Sequence, residues 1–178
     1  MPDAKTLYIP GVSPFPNSPL PVLLYPGALP GAPARFDRLF RENGWTGVWV
    51  NGVYAFHHFH AEAHEALGCV SGSAAIQLGG PDGLVVEMKA GDALVLPAGV
   101  GHRLERASRN FSIAGAYPQG QSPDLQRGEA EGYEAFRAKC LAVPLPAADP
   151  VLGGEGPLLF HWKAPASRRP AGRKTPAL

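Results

Sequence analysis

The sequence predicts an all-β protein built as one domain, and three observations carry that expectation. The chain has 178 residues, close to the roughly 150 expected of a single domain. Its hydrophobic fraction of 45% is enough to close a core. Its 22 Gly and 20 Pro are scattered without a collagen-like period and flank short apolar runs, the texture of many short strands joined by tight turns.

Residues 8–34 carry eight prolines, and only Pro21-Val22-Leu23-Leu24-Tyr25 reads as β, so this stretch is an extended arm that leans on the rest. In residues 34–44, Phe36, Leu39 and Phe40 recur at helical spacing and Asn43-Gly44 supplies a stop, which predicts one short amphipathic helix. From Trp45 to Pro118, apolar runs are broken by Gly, Pro and Asp, the pattern of consecutive strands. Residues 73–78 and 84–89 flank Gly79-Gly80-Pro81-Asp82-Gly83 and are expected to pair as a hairpin. Residues 93–96 then lead into the turn Pro97-Ala98-Gly99, and 109–117 reads as a further strand. Tyr133, Phe136 and Cys140 share one stripe over 132–140, a second short helix. Residues 157–162 are expected to add a closing strand. The tail 167–178 holds Arg168, Arg169, Arg173 and Lys174 with no acid, and reads as a solvated, frayed terminus.

The formal net charge of +1 offers no field that would draw in nucleic acid or an anionic membrane, so neither is an expected partner. The N-terminus has no basic-then-apolar leader pattern, and its most apolar stretch falls far short of the ~20 residues that span a bilayer. Cys69 and Cys140 lie far apart in a chain too long to need a disulfide framework. Two reduced thiols and a cytoplasmic location are therefore expected. Residues 21–25 offer an edge strand, which is expected to pair across a homodimer interface.

Four of the six histidines fall within Phe56-His57-His58-Phe59-His60-Ala61-Glu62-Ala63-His64-Glu65. On a strand, positions i and i+2 share a face, so His58 and His60 point together while His57 and Phe59 turn away. Two imidazoles hold a divalent ion weakly and need further ligands from elsewhere in the fold. If residues 61–63 turn the chain back, Glu65 opens the next strand on the inward face shared with Cys69, and His102, just past Pro97-Ala98-Gly99, completes the set. His64 falls on the opposite parity. Turned inward it would be a base beside the ion or an alternative ligand; turned outward it would hydrogen-bond the surface of the fold. Arg106 lies four residues past His102. On a regular strand it would share that face and clamp a substrate carboxylate; otherwise it ends a strand in solvent. Tyr54 and Phe56 either line the mouth of a pocket or pack in the core.

The spacing Gly52, His58-x-His60, Glu65, Gly72, followed by Gly91, Pro97-x-Gly99, His102, resembles the two sequence motifs of the cupin superfamily position by position. Arg106 departs from it, standing where the second motif usually ends in Asn. The likeness runs through nearly the whole chain: Asn17-Ser18-x-Leu20-Pro21-Val22-Leu23-Leu24-Tyr25, Asn43-Gly44-Trp45, Gly115-Ala116-Tyr117-Pro118 and Val143-Pro144-Leu145-Pro146 with Asp149-Pro150 are similar to small bacterial cupins of the YjlB-like type. The resemblance implies a double-stranded β-helix, or jelly roll, with an extended N-terminal arm and one or two short helices. It places an arm and helix in 1–45, the barrel core in 46–120, a helix and strand packed on the barrel in 121–166, and a flexible tail in 167–178.

The resemblance further implies that His58, His60, Glu65 and His102 hold one divalent transition metal. Nitrogen and oxygen donors without thiolate suit Mn, Fe, Co, Ni or Zn. Three neutral imidazoles and one carboxylate leave a formal +1 and room for two more ligands, so a small molecule, a carboxylate among the candidates, is the expected partner. The expected function is that of a small-molecule metalloenzyme, dioxygenase- or isomerase-like, acting on a carboxylated or polyhydroxylated metabolite. The alternative is a non-catalytic binding or sensing module. Fold alone does not choose between them.

Overall fold

The computed structural model describes residues 3–163; the basic tail expected over 167–178 lies outside them. Strands β1 (Lys5–Ile9) and β2 (Ser18–Tyr25) lead to a 3-10 turn at Pro33–Arg35 and helix α1 (Phe36–Glu42). Strands β3 (Trp45–Asn51), β4 (Glu65–Ser71), β5 (Ser73–Leu78), β6 (Leu84–Lys89), β7 (Ala93–Leu96), β8 (His102–Ala107) and β9 (Ser112–Pro118) follow, and helices α2 (Tyr133–Leu141) and α3 (Pro157–His161) close the described chain. The larger sheet runs β1-β2-β7-β4-β9-β3 and the smaller β6-β5-β8, with every neighbouring pair antiparallel. The fold is the all-β jelly roll the sequence predicts, with a few short helices.

The β5–β6 hairpin has the expected bounds, because Gly79 and Gly80 adopt φ of 94° and 107°, a region closed to most side chains. The space between the sheets is filled from both: Leu67, Leu94, Leu96 and Ile113 of the larger meet Ile76, Leu78 and Met88 of the smaller. The larger sheet is buried on its other face as well. There Ala66, Ala93, Val95, Ala114 and Ala116 lie under Phe36 and Phe40 of α1 and under Val151, Leu158 and Trp162. Burial on both faces explains why β4, β7 and β9 read as continuous apolar runs rather than alternating ones. Gly68 is required by this packing, since a Cβ there would fall 2.3 Å from the Phe36 ring.

Two local expectations are corrected. Residues 21–25 are not an edge: β2 lies between β1 and β7, because Lys5–Ile9, unread as a strand in the sequence, pairs with it (Leu7 with Val22, Lys5 with Leu24). The edges of the larger sheet are β1 and β3. The closing strand expected at 157–162 is instead helix α3, opened by Pro157 at its first turn, where the missing N–H costs nothing. Buried Leu158 and Trp162 are four apart with Phe160 between them exposed; a strand would put all three on one face, whereas a helix turns Phe160 away from the other two. Asp149 fixes this segment: its buried carboxylate accepts from the Tyr25 hydroxyl at 2.6 Å and from the N–H groups of Val151, Leu152 and Leu158 at 2.8, 3.0 and 2.9 Å. Those four charge-assisted bonds satisfy a carboxylate that burial would otherwise penalise.

Candidate metal centre

The histidine-rich segment runs alongside β8 as an irregular extra strand. His58 and His102 exchange backbone hydrogen bonds at 3.1 and 2.8 Å, Gly99 N–H donates to His60 C=O at 2.8 Å, and Leu104 N–H donates to Tyr54 C=O at 2.8 Å. Phe59 faces away, as the two-residue period requires, into a separate cluster with Phe15, Ala98 and Cys140. The chain turns at 61–64 and re-enters as β4 with Glu65 as its first residue.

This arrangement brings one ring nitrogen from each of His58, His60 and His102 within 4.8 Å of the others. Each ring is oriented through its other nitrogen. His58 Nδ1 faces Phe56 C=O at 3.0 Å, His102 Nδ1 faces Val100 C=O at 3.0 Å, and His60 Nδ1 faces Asp124 C=O. A carbonyl only accepts, so in all three rings Nδ1 carries the proton and Nε2 of the neutral ring presents a lone pair. Glu65 lies among them, 3% exposed, with Oε2 at 3.1 Å from His102 Nε2 and 3.4 Å from His60 Nε2. Yet this oxygen is buried with no hydrogen-bond partner. With Nδ1–H committed, a neutral imidazole turns a lone pair toward the carboxylate, and only a proton or a cation between them makes the approach attractive. Four converging donors around an orphaned buried oxygen fit a divalent transition ion.

The electrostatics agree. Burial pushes His58 down to about 3, assisted by the nearby His102. Burial also opposes charge on His60, but the Glu65 carboxylate and the Asp124 carbonyl outweigh it and leave His60 above its ordinary value. Burial would raise Glu65; His60 and His102 hold it instead well below the usual carboxylate range.

Sequence reasoning missed three residues around the centre. Trp49 Nε1–H donates to the Tyr117 hydroxyl at 2.8 Å, and that hydroxyl donates to Glu65 Oε1 at 3.3 Å, so a relay from β3 through β9 holds the oxygen of Glu65 not facing the imidazoles. Asp124 supplies the carbonyl that orients His60, while its side chain accepts from the N–H groups of Ala61 and Glu62 at 2.8 and 2.9 Å. Tyr117 carried a signal in the quoted Gly115-Ala116-Tyr117-Pro118; Asp124 sits in a loop with no periodicity to reveal it.

The centre forms the floor of a cavity of about 450 Å³ walled by Trp49, Val50, Val53, Tyr54, Leu67 and Leu125 among others. Of the two residues in the pocket-mouth reading, Tyr54 lies at this cavity and Phe56 is not among its lining residues but stacks on Tyr54. His64 and Arg106 are not among its lining residues. His64 is buried elsewhere: Nδ1 accepts from Ala98 N–H at 2.9 Å, Nε2 faces Pro144 C=O at 3.2 Å, and the ring packs on Trp162 at 4.9 Å. Arg106 is exposed and pairs with Glu87. The four-residue spacing from His102 does not keep it inward, because an irregularity between Leu104 and Arg106 sets Ala75 opposite Arg106 but Ile76 opposite Leu104. That extra residue, a β-bulge, reverses the parity. Cys69 is buried among the core residues, its Sγ–H directed at Ser71 C=O, and it does not line the cavity.

Fold and site together define a cupin, and the comparisons agree: a model described as Cupin domain matches residues 45–110. The chain is 35% identical over 161 residues to the uncharacterized protein YjlB of Bacillus subtilis (strain 168), an alignment covering 90% of this chain and 97% of that one. It therefore belongs to the YjlB-like family of cupins. Among solved structures it is similar to a double mutant of the QdtA 3,4-ketoisomerase from Thermoanaerobacterium thermosaccharolyticum in complex with TDP, at 19% identity and TM-score 0.41 over 52% of this chain and 70% of that one. It is also similar to acireductone dioxygenase from Bacillus anthracis with a cadmium ion in its active center, at 16% identity and TM-score 0.39 over 58% and 82%. At that level of likeness neither indicates which reaction this chain performs.

Proposed function

We propose that the chain is a small-molecule metalloenzyme, dioxygenase- or isomerase-like, in which His58, His60, Glu65 and His102 hold one divalent transition metal (Mn, Fe, Co, Ni or Zn). One observation carries the reading: three imidazoles, each fixed by Nδ1–H on a backbone carbonyl, aim their remaining nitrogens at one another beside a buried carboxylate oxygen that lacks a hydrogen bond. Such an ion supplies Lewis acidity toward a substrate carbonyl or enolate and a binding position for water or dioxygen. The chain's own residues do the rest. Phe56, Val100 and Asp124 hold the rings in one tautomer through their carbonyls, and Tyr117 steadies Glu65. Trp49, Val53 and Leu67 exclude bulk water from the floor of the cavity.

The proposal includes a cytoplasmic location, in keeping with two free, buried thiols; among the described residues no helix is long and apolar enough to cross a membrane. It also includes a homodimer, built on an edge of the larger sheet, β1 or β3, rather than on β2. A monomer mass by light scattering removes the dimer.

Elemental analysis of the purified chain, followed by aerobic and anaerobic metabolite screens, tests the function. The expected result is one transition ion per chain and a consumed metabolite, with His60→Ala losing both. Undiminished activity in that variant contradicts the reading, and stabilisation by a metabolite that is never consumed favours the sensing module instead.

A further inference from the structure

The walls of the cavity say what kind of molecule fits above the proposed metal centre. Among the described residues that line it, none is Lys or Arg. The charged side chains there, besides the histidines, are the acids Glu65 and Asp124. Arg106, the cation expected to clamp a substrate, pairs with Glu87 on the outer face, and Arg127 is engaged 3.8 Å over the Phe56 ring. A divalent ion with three neutral imidazoles and one carboxylate leaves a single positive charge to neutralise. A monoanion brings the ion and its four ligands to zero, whereas a dianion leaves them negative beside the Asp124 carboxylate, with no Lys or Arg among the lining residues to answer it.

The remaining walls are mainly aromatic and aliphatic, with Asn51 their one polar amide. Tyr54 is stacked on Phe56, centroids 4.7 Å apart and planes 16° from parallel, and stands edge-on to His58 at 5.2 Å. Trp49 lies against the sheet over Gly115, where a Cβ would fall 2.2 Å from its ring, and its one donor is already spent on Tyr117. Val50, Tyr54 and Leu125 at the cavity are 54%, 55% and 47% exposed, an apolar surface in contact with water that a ligand body would cover. A polyhydroxylated molecule would find few partners on these walls for its hydroxyls, and unpaired hydroxyls cost affinity.

We infer that the cavity takes a planar, mainly apolar monoanion that presents two oxygens to the imidazole–carboxylate cluster and lays its ring beside Tyr54: an aromatic or enolic O,O-chelate rather than a sugar, a phosphate ester or a dicarboxylate. The inference rests on the metal-centre reading, and the experiment separates the two. The full chain is loaded with Zn2+, its metal content is measured in the same samples, and it is titrated by calorimetry with three probes. Tropolonate is a planar monoanionic O,O-chelate, acetohydroxamate a monoanionic O,O-chelate without a ring, and oxalate a dianion. Each affinity is divided by that of the same probe for free Zn2+.

Tropolonate is expected to show the largest ratio and oxalate the smallest. Tyr54→Ala, a change at a half-exposed side chain, is expected to weaken tropolonate roughly two- to tenfold, the range for loss of one aromatic contact, and to leave acetohydroxamate within about twofold. If oxalate shows the largest ratio, if Tyr54→Ala affects both monoanions equally or neither, or if no probe binds the loaded chain, the substrate class is overturned while the metal centre stands. A chain that takes up no Zn2+ overturns both.

Discussion

His64 separates a structural histidine from a catalytic one, and its environment sets the size of the effect. The ring is 2% exposed and burial pushes its pKa down from 6.5 to about 4. The unfolded chain therefore binds this proton more readily than the folded one between those two values. His64 contributes stability that is complete above pH 6.5 and is lost as pH falls toward 4. Between pH 7 and pH 5 the loss from this one group comes to about 2 kcal/mol. His58 is also depressed and adds its own loss, so the informative quantity is a difference between variants. His64→Asn retains an acceptor for the Ala98 N–H but has no group that ionises in this range. Urea unfolding at pH 7 and pH 5, both with chelator, is expected to show wild type losing about 2 kcal/mol more than His64→Asn. The variant is expected to keep its metal content. Equal pH dependence in the two proteins, or loss of metal from His64→Asn, refutes the assignment of this ring to the scaffold.

Three further outcomes follow from the site and its supports. His60 is held above 6.5, so in the metal-free chain its pairing with Glu65 stabilises below pH 6.5 and is lost as pH rises through the folded value. Calorimetry of Zn2+ binding near pH 6.5 in buffers of different ionisation enthalpy should show protons released on binding, with affinity rising with pH; no release would place the ion elsewhere. Tyr117→Phe removes the donor to Glu65 Oε1 and the acceptor of Trp49 Nε1–H, and should weaken metal binding roughly tenfold by competition titration while leaving the stoichiometry at one. Asp149→Ala strips four donors of their acceptor and should cost about 3–5 kcal/mol of stability, read from thermal unfolding; an unchanged midpoint would mean that the segment bearing α3 is not fixed this way.

Most of the candidate centre was legible because the residues that meet there sit in short local patterns. His58 and His60 are two apart, a turn of known length returns Glu65 to the same cavity, and His102 follows a Pro-x-Gly turn. What was not legible depends on long-range pairing or on a local irregularity. Lys5–Ile9 gains its strand identity only by lying against Ser18–Tyr25, and its absence from the sequence reading made β2 look like an edge. Arg106 has the spacing of an inward residue; the extra residue in β8 that turns it outward leaves no mark in residue types. Residues 157–162 were apolar enough for a strand; Pro157 opens the helix, and exposed Phe160 between buried Leu158 and Trp162 fits a helix and not a strand. Asp124 and Trp49 act through contacts more than 60 residues away in sequence, which no local pattern encodes.

The central claim is that His58, His60, His102 and Glu65 ligate one ion. X-ray absorption on the Zn2+-loaded chain measures this directly. The account predicts three imidazole nitrogens with oxygen completing the shell at about 2.0–2.2 Å, and loss of one imidazole in His102→Ala. A shell with fewer imidazoles, with sulfur, or unchanged in His102→Ala would contradict it.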